Sequence, residues 1–221
     1  MSDDSFIREV NEEMRRAQAK ALWDRYGPIG IALALAVILG TAAWVAWDYW
    51  TASRANRSGD AFSQALSLAT DGKPDEALAA FNELEKGGYG AYPILARMRA
   101  ATVLLDKGDF QGAVSAFDAV TADASVPEVL RDMAKLRSGF IMVDHGSYDD
   151  VASRLEPMTA DTHPLRFSAR EAIGLSAWKA GNATEALRLF ELIENDQAAP
   201  RNARERATMM ADLIRGAGSG S

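Results

Sequence analysis

The sequence has no cysteine and only two histidines in 221 residues. Disulfides, thiolate metal sites and cysteine nucleophiles are therefore excluded. A basic surplus is also missing: 24 Lys and Arg stand against 31 Asp and Glu, a net charge of −7. Phosphate binding needs a concentrated basic surface, so a nucleic-acid partner is disfavoured. β-Branched runs are few while alanine and leucine are abundant, which predicts an all-α chain. With 25% charged and 48% hydrophobic residues, the composition is that of an ordinary globular protein and argues against wholesale disorder. The length suits one moderate domain plus an appendage.

Chemical motifs are equally scarce. His145 has Asp144, Asp149 and Asp150 near it in sequence, but dedicated ligand spacing is absent, and an inter-helix turn selects Asp, His and Gly for backbone reasons. His163 precedes Pro164 and reads as a helix-start residue. "KGGYGAY" lacks the Lys-Ser or Lys-Thr that follows a phosphate-cradling loop. No nucleophile elbow and no zinc-protease motif occur. The sequence predicts no catalytic residue, no metal site and no cofactor, and hence no enzyme.

What is present begins with an apolar run. From Tyr26 to Trp47 there are 22 successive uncharged residues, which as a helix rise about 33 Å against a hydrocarbon core of roughly 30 Å. The run opens with Gly27-Pro28, where proline suits a first helical position, and ends in Trp44, Trp47, Tyr49 and Trp50, a cluster typical of a membrane–water interface. It has no polar face, which disfavours a buried core helix. A cleaved signal peptide has a short leader, a shorter apolar core and small residues at the cleavage site. Here 25 charged-rich residues come first and tryptophans stand where cleavage would fall. Residues 26–50 are therefore expected to remain and to span a bilayer.

Arg15, Arg16, Lys20 and Arg25 precede the span, and only Arg54 and Arg57 follow at comparable distance. The positive-inside rule then puts residues 1–25 in the cytoplasm and the remainder across the membrane. In the leader, Phe6, Val10, Met14, Ala17 and Ala21 share one helical side. That stripe either lies on the membrane or docks a partner; a solvated leader that only fixes topology is the alternative.

Beyond the span the chain repeats itself. "DGKPDEALAAFNEL", "KGDFQGAVSAFDAV", "HGSYDDVASRLEPM" and "AGNATEALRLFELI" align on Gly72, Gly108, Gly146 and Gly181. Five residues later come Ala77, Ala113, Val151 and Ala186; nine later, Phe81, Phe117, Leu155 and Phe190; seven earlier, Ala65, Ala101, Gly139 and Gly174. The glycine allows a left-handed turn between two helices. The small residues mark where the two helices cross, and the aromatic fills the gap between neighbouring units. Pro93, Pro127, Pro164 and Pro200 precede each following helix. "PRNARERATMMADLIRG" reads as a closing helix over the last apolar face, and "AGSGS" as a flexible tail. From Pro28 to Ala69 only Gly40 and Gly59 weaken a helix, so the span is predicted to continue to the first repeat, with any break near Ser58-Gly59.

This pattern resembles the tetratricopeptide repeat, a helix–turn–helix of about 34 residues. The third unit departs most, and the early tryptophan of the first helix is missing throughout. The resemblance implies a groove lined by the first helix of each pair: Phe62, Leu66, Leu95, Met98, Leu105, Met133, Leu136, Phe140, Val143, Leu175 and Trp178. The alternative for each is packing within its own repeat, because apolar helical stripes are usually core. Phe140 and Trp178 are the foremost candidates for binding.

The layout as a whole has a charged helix "SFIREVNEEMRRAQAKALWDRYG", a span ending in "WDYW" and repeats starting "GDAFSQALSLATDGKPDEALAAF". It resembles the YfgM-type ancillary SecYEG translocon subunit family, tetratricopeptide-like proteins of the Gram-negative inner membrane. The resemblance implies residues 1–25 in the cytoplasm, 26–50 in the membrane, 51–216 as a periplasmic repeat domain and 217–221 as a tail. It also implies translocon subunits, periplasmic chaperones and unfolded clients as partners. Anchoring would hold the groove at high effective concentration near the channel exit, so weak contacts suffice. Two other readings stand beside it: a scaffold organising another envelope complex through one defined partner, and an enzyme regulator acting through its cytoplasmic leader.

Overall fold

A computed structural model describes the backbone of residues 3–218, with side chains for Glu12 and residues 14–217. The described residues are helical with no strand. The helices are α1 (Asp3–Thr70), α2 (Pro74–Gly87), α3 (Tyr92–Asp106), α4 (Phe110–Ala122), α5 (Glu128–His145), α6 (Tyr148–Leu155), α7 (Arg166–Lys179), α8 (Ala183–Glu194) and α9 (Arg201–Gly218). A short 3-10 turn, Glu156–Thr159, follows α6. The chain divides into two units, Met1–Asn56 and Arg57–Ser221.

The first unit is helical from Asp3 onward, and Pro28 lies inside the helix instead of opening it. A proline there has no N–H to give the Asp24 carbonyl; the span and the leader nevertheless form one helix. Every residue of the most apolar stretch, with mean hydropathy 2.3, is exposed. Its length and composition are those of a bilayer-crossing helix. At one end Arg25 lies 5.6 Å from the Tyr26 ring centroid; at the other Arg54 lies 4.9 Å from that of Trp50, which also meets Trp47 at 5.7 Å. Tyr26 and Trp50 are about 36 Å apart along the axis, a separation comparable to the thickness of a bilayer's hydrocarbon core with its interfaces. Of the leader stripe, Met14, Ala17 and Ala21 are exposed, while the side chains of Phe6 and Val10 lie outside the described residues. The helix is unbroken at Ser58-Gly59, as the scarcity of helix weakeners predicts.

The second unit carries the four predicted pairs: the end of α1 with α2, α3 with α4, α5 with α6, and α7 with α8. Each helix from α2 to α9 packs on its neighbours in sequence, with further contacts of α5 with α7 and α7 with α9. Nearest-neighbour packing of this kind is the mark of a solenoid. Phe81, Phe117, Leu155 and Phe190, nine residues after the glycines, are fully buried, as are Ala77, Ala113, Val151 and Ala186. Four apolar clusters each join one pair to the first helix of the next: Phe117, for example, packs with Ala101 of its own pair and with Ala134 and Ile141 of α5. Burying one such ring contributes roughly 2–3 kcal/mol. The α9 face of Ala203, Ala207, Ala211 and Ile214 closes the last cluster. Helix α9 also takes in Ala217 and Gly218 of the expected tail, and residues 219–221 lie outside the described residues.

The turns differ from expectation at one place. Gly72, Gly108 and Gly181 have φ of 75°, 80° and 78°, the left-handed conformation. Gly146 does not: its φ and ψ are −121° and −175°. Helix α5 runs one residue closer to its glycine than the others do, and the next helix starts with a capping box between Ser147 and Asp150. His145 is accordingly the last residue of α5, not a turn residue. Glycine is favoured at 146 for space, since a Cβ would come to 3.0 Å from the Met142 carbonyl. Gly108→Ala is expected to cost about 1–2 kcal/mol, because alanine is strained in the left-handed conformation; a urea titration checks it.

One half-buried carboxylate links neighbouring elements. Asp123 accepts from Ser125 Oγ at 2.6 Å and from Arg97 Nη1 of α3 at 2.6 Å. These bonds, that of Ser125 foremost, lower its pKa from 3.8 to about 2. A depressed carboxylate adds stability above its unfolded pKa and loses it as pH falls through the folded one. The melting-temperature advantage of the wild type over Asp123→Asn should thus be full above about pH 5 and fade as pH falls through about 2.

Candidate interaction face

The residues expected to line a groove separate into three groups. Leu95, Met133 and Phe140 are 36%, 37% and 36% exposed. Val143 is buried with Val151 and Leu155, so it is a packing residue. The others are partly buried against core clusters: Phe62 and Leu66 near Phe81, Met98 and Leu105 near Phe117, Leu136 near Leu155, and Leu175 and Trp178 near Phe190. Phe62 meets the rings of Phe81 and Tyr92 at 5.7 Å each. Phe140 is thus open to a partner, whereas Trp178 leans on the core beneath α8 and α9.

The fold brings Leu105 and Phe140 together. They share a cleft of about 300 Å³ with Thr102, Arg137, Asp144 and His145, floored by the buried Phe117 and Ile141. The aromatic nine residues after Gly108 sets the floor, and the first helices α3 and α5 supply the walls. Beside it the His145 ring stacks on Phe110, with centroids 3.6 Å apart and planes at 16°. The end of α5 is tied from the next pair: Lys179 Nζ donates to the Val143 and Asp144 carbonyls at 3.0 and 2.6 Å. Those are helix-end carbonyls with no partner in their own helix.

Of the acidic groups near His145, Asp150 is committed to capping α6. Asp150 accepts from Ser147 N and Oγ at 3.2 and 2.6 Å, and among the described residues no cluster of three His, Asp or Glu could hold a metal. His163 accepts from Leu165 N through Nδ1 at 3.1 Å, and its Nε2 lies 3.3 Å from Asp132 Oδ2. That joins the start of α7 to α5. In "KGGYGAY", Tyr89 N donates to Ser58 Oγ at 2.9 Å, so the connector is stitched to α1. Reading along the sequence does not single out Arg137 and Thr102 of the cleft, and it meets Asp144 only as a neighbour of His145. Their spacing from the repeat glycines is the available signal, but polar residues on a helical repeat read as a solvated face.

The sequence pattern of the tetratricopeptide repeat-like domain family matches residues 20–172, and that of the tetratricopeptide repeat matches 143–203. The chain is similar to the ancillary SecYEG translocon subunit of Escherichia coli (strain K12), 32% identical over 118 residues. That match covers 51% of this chain and 56% of the relative, so the chain spans about half of the relative's length. Crystal structures of nearly identical TPR-like repeats, assigned to a kinesin light chain of Podosopora anserina, superpose with a TM-score of 0.54 at 15% identity. They cover 74% of this chain and 88% of their own. A singly substituted form of the same repeats gives 0.54 at 16%. At such identities the likeness concerns the fold alone.

Proposed function

Because this chain belongs to the tetratricopeptide repeat-like domain family, we propose that it is a membrane-anchored protein-interaction module serving as an accessory of the SecYEG translocon. In this reading residues 26–50 cross the inner membrane, the N-terminus is cytoplasmic and the repeats stand in the periplasm, linking emerging proteins to chaperones. The observation that carries it is the joining, within one family match from residue 20 to 172, of an exposed apolar helix to a helical repeat. The similarity to a named translocon subunit supports the partner, and the four basic residues before the span against two after it support the orientation. No step in this role needs catalysis: an anchored repeat face raises local concentration, and weak contacts then act.

Co-purification in mild detergent tests the proposal, with the full chain set against residues 51–221. The full chain should retain translocon subunits, and the shorter chain should lose them while keeping clients or chaperones. Recovery by both of one stoichiometric envelope partner, without translocon, would replace this reading with that of a scaffold.

A further inference from the structure

Helices α3 and α5 carry the same surface pattern. Leu95, Arg99, Thr102 and Asp106 in α3 match Met133, Arg137, Phe140 and Asp144 in α5, at spacings of four, three and four. Such spacings put each set on one side of its helix. Leu95, Met133 and Phe140 are over a third exposed, and both arginines and both aspartates are exposed. Where the arginines stand, the first helices of the outer pairs have Ser63 and Ala172. The pattern therefore belongs to the middle of the array, where the cleft joins Thr102 to Arg137 and Phe140.

The cations on these two helices are unlike the rest. Among the described residues from 57 onward, only Arg99, Arg131, Lys135 and Arg137 have side chains without an ion pair or hydrogen bond, and all four stand on α3 or α5. In a chain of net charge −7 there is no shortage of carboxylates to pair them. Arg97, two residues before Arg99 and on the inner side of the helix, binds both Asp123 and Glu85. Arg99 and Arg137 face outward instead, flanked by aliphatic and aromatic side chains. A guanidinium there offers a planar pair of donors to a carboxylate, and the neighbouring apolar surface offers burial to what accompanies it.

We propose that the α3–α5 face docks an acidic, apolar polypeptide segment. Its carboxylates sit on Arg99 and Arg137, and its apolar side chains cover Leu95 and Met133 and enter the cleft at Phe140. Asp106 and Asp144 stand seven residues beyond the arginines, about 10 Å along the helices. They repel acidic residues at that edge and so fix the side on which the segment's carboxylates lie. This assignment rests on the interaction-module reading and names the chemistry of the partner.

The test is fluorescence anisotropy on the full chain in detergent, with a labelled peptide alternating Asp or Glu with Leu or Val. Companion peptides carry Lys, or Asn and Gln, in place of the acids. The acidic peptide should bind more tightly than the lysine peptide and weaken as salt is raised. Arg99→Gln with Arg137→Gln should reduce its affinity by about tenfold, since two exposed charge contacts are removed. Both arginines lack partners among the described residues, so the variant should keep the wild-type helicity. Equal affinity for all three peptides, lost on Met133→Ala with Phe140→Ala but untouched by the arginine changes, would overturn the acidic preference and leave the module reading intact. Failure of every peptide, together with loss of translocon subunits from the full-chain purification, would overturn both. Displacement of the peptide by a single-stranded oligonucleotide as readily as by unlabelled peptide would show that any polyanion serves, and would overturn the proposal of a polypeptide partner.

Discussion

Gly139→Val is expected to destabilise the repeat unit by about 3 kcal/mol, the upper part of the range for overpacking a filled core. A Cβ at Gly139 would meet Leu155 Cδ1 at 2.6 Å and its Cγ at 2.9 Å, and Leu155 is fully buried, so it has nowhere to move. Gly139→Ala sets two effects against each other. Helix propensity favours alanine by roughly 1 kcal/mol, while the clash costs about 1–3 kcal/mol, so the net change should be a loss. Shortening Leu155 to alanine reverses the sign: in that background Gly139→Ala should gain up to about 1 kcal/mol. Urea unfolding of the four proteins of this cycle measures the coupling. An equal cost for Gly139→Ala in both backgrounds would mean that the helix crossing is not what selects glycine. At Gly174 the nearest Phe190 atoms lie 3.1 Å from the added Cβ, so Gly174→Ala should be milder than Gly139→Ala.

The second large effect concerns the apolar helix. Leu35→Asp with Leu39→Asp puts two carboxylates on one side of a run in which Leu35 and Leu39 are exposed. Each charge near a bilayer centre costs about 2.5–3.5 kcal/mol on insertion scales, hence about 5–7 kcal/mol for the pair. The wild type should stay with membranes through alkaline extraction, and the variant should leave with the soluble fraction. Retention of the variant would mean that residues 26–50 are not the anchor, and attention would move to the leader or to a membrane-bound partner. Exchanging Trp47 and Trp50 for alanine should matter less, because interfacial aromatics fix depth and do not supply the bulk of insertion energy.

The third repeat holds its pair of helices together with a different filling. Val151 and Leu155 depart from the pattern, yet both are fully buried in the places that alanine and phenylalanine occupy elsewhere. Leucine is shorter than phenylalanine, and Gly139 lets it approach α5 closely, so the pair of helices holds together with a different filling. Gly146 shows the opposite case. It is aligned with three left-handed glycines but is extended, because α5 continues to His145 and Ser147 with Asp150 starts the next helix. A spacing of residues marks where a turn falls; the conformation of that turn depends on the caps at either end.

The groove positions are legible in the sequence only as a class. Counting back from each glycine finds the first helix and its apolar stripe, and that stripe contains both core and surface residues. Val143 and Phe140 lie three residues apart, and one is buried against Val151 while the other opens into the cleft. A helical period cannot separate them, because a first helix packs both on its own partner and on the neighbouring pair, leaving a narrow exposed strip between two buried ones. Trp178 shows the same ambiguity: its size suggests binding, while in the structure it packs against the cluster that α8 and α9 build.

By itself the sequence determined the helical class, the apolar run, the four glycine-centred turns and the residues that fill each pair, because these follow from composition and from one-dimensional spacing. Only the tertiary structure decided which apolar residues face outward, that Gly146 is extended, and that, among the described residues from 57 onward, the unpaired cations gather on α3 and α5. Each of these depends on which helices meet, and on which charges find partners in a neighbouring repeat such as Lys179 on α5 or Arg97 on Asp123. Spacing along the chain fixes what one helix offers; the packing of adjacent repeats fixes what is left uncovered.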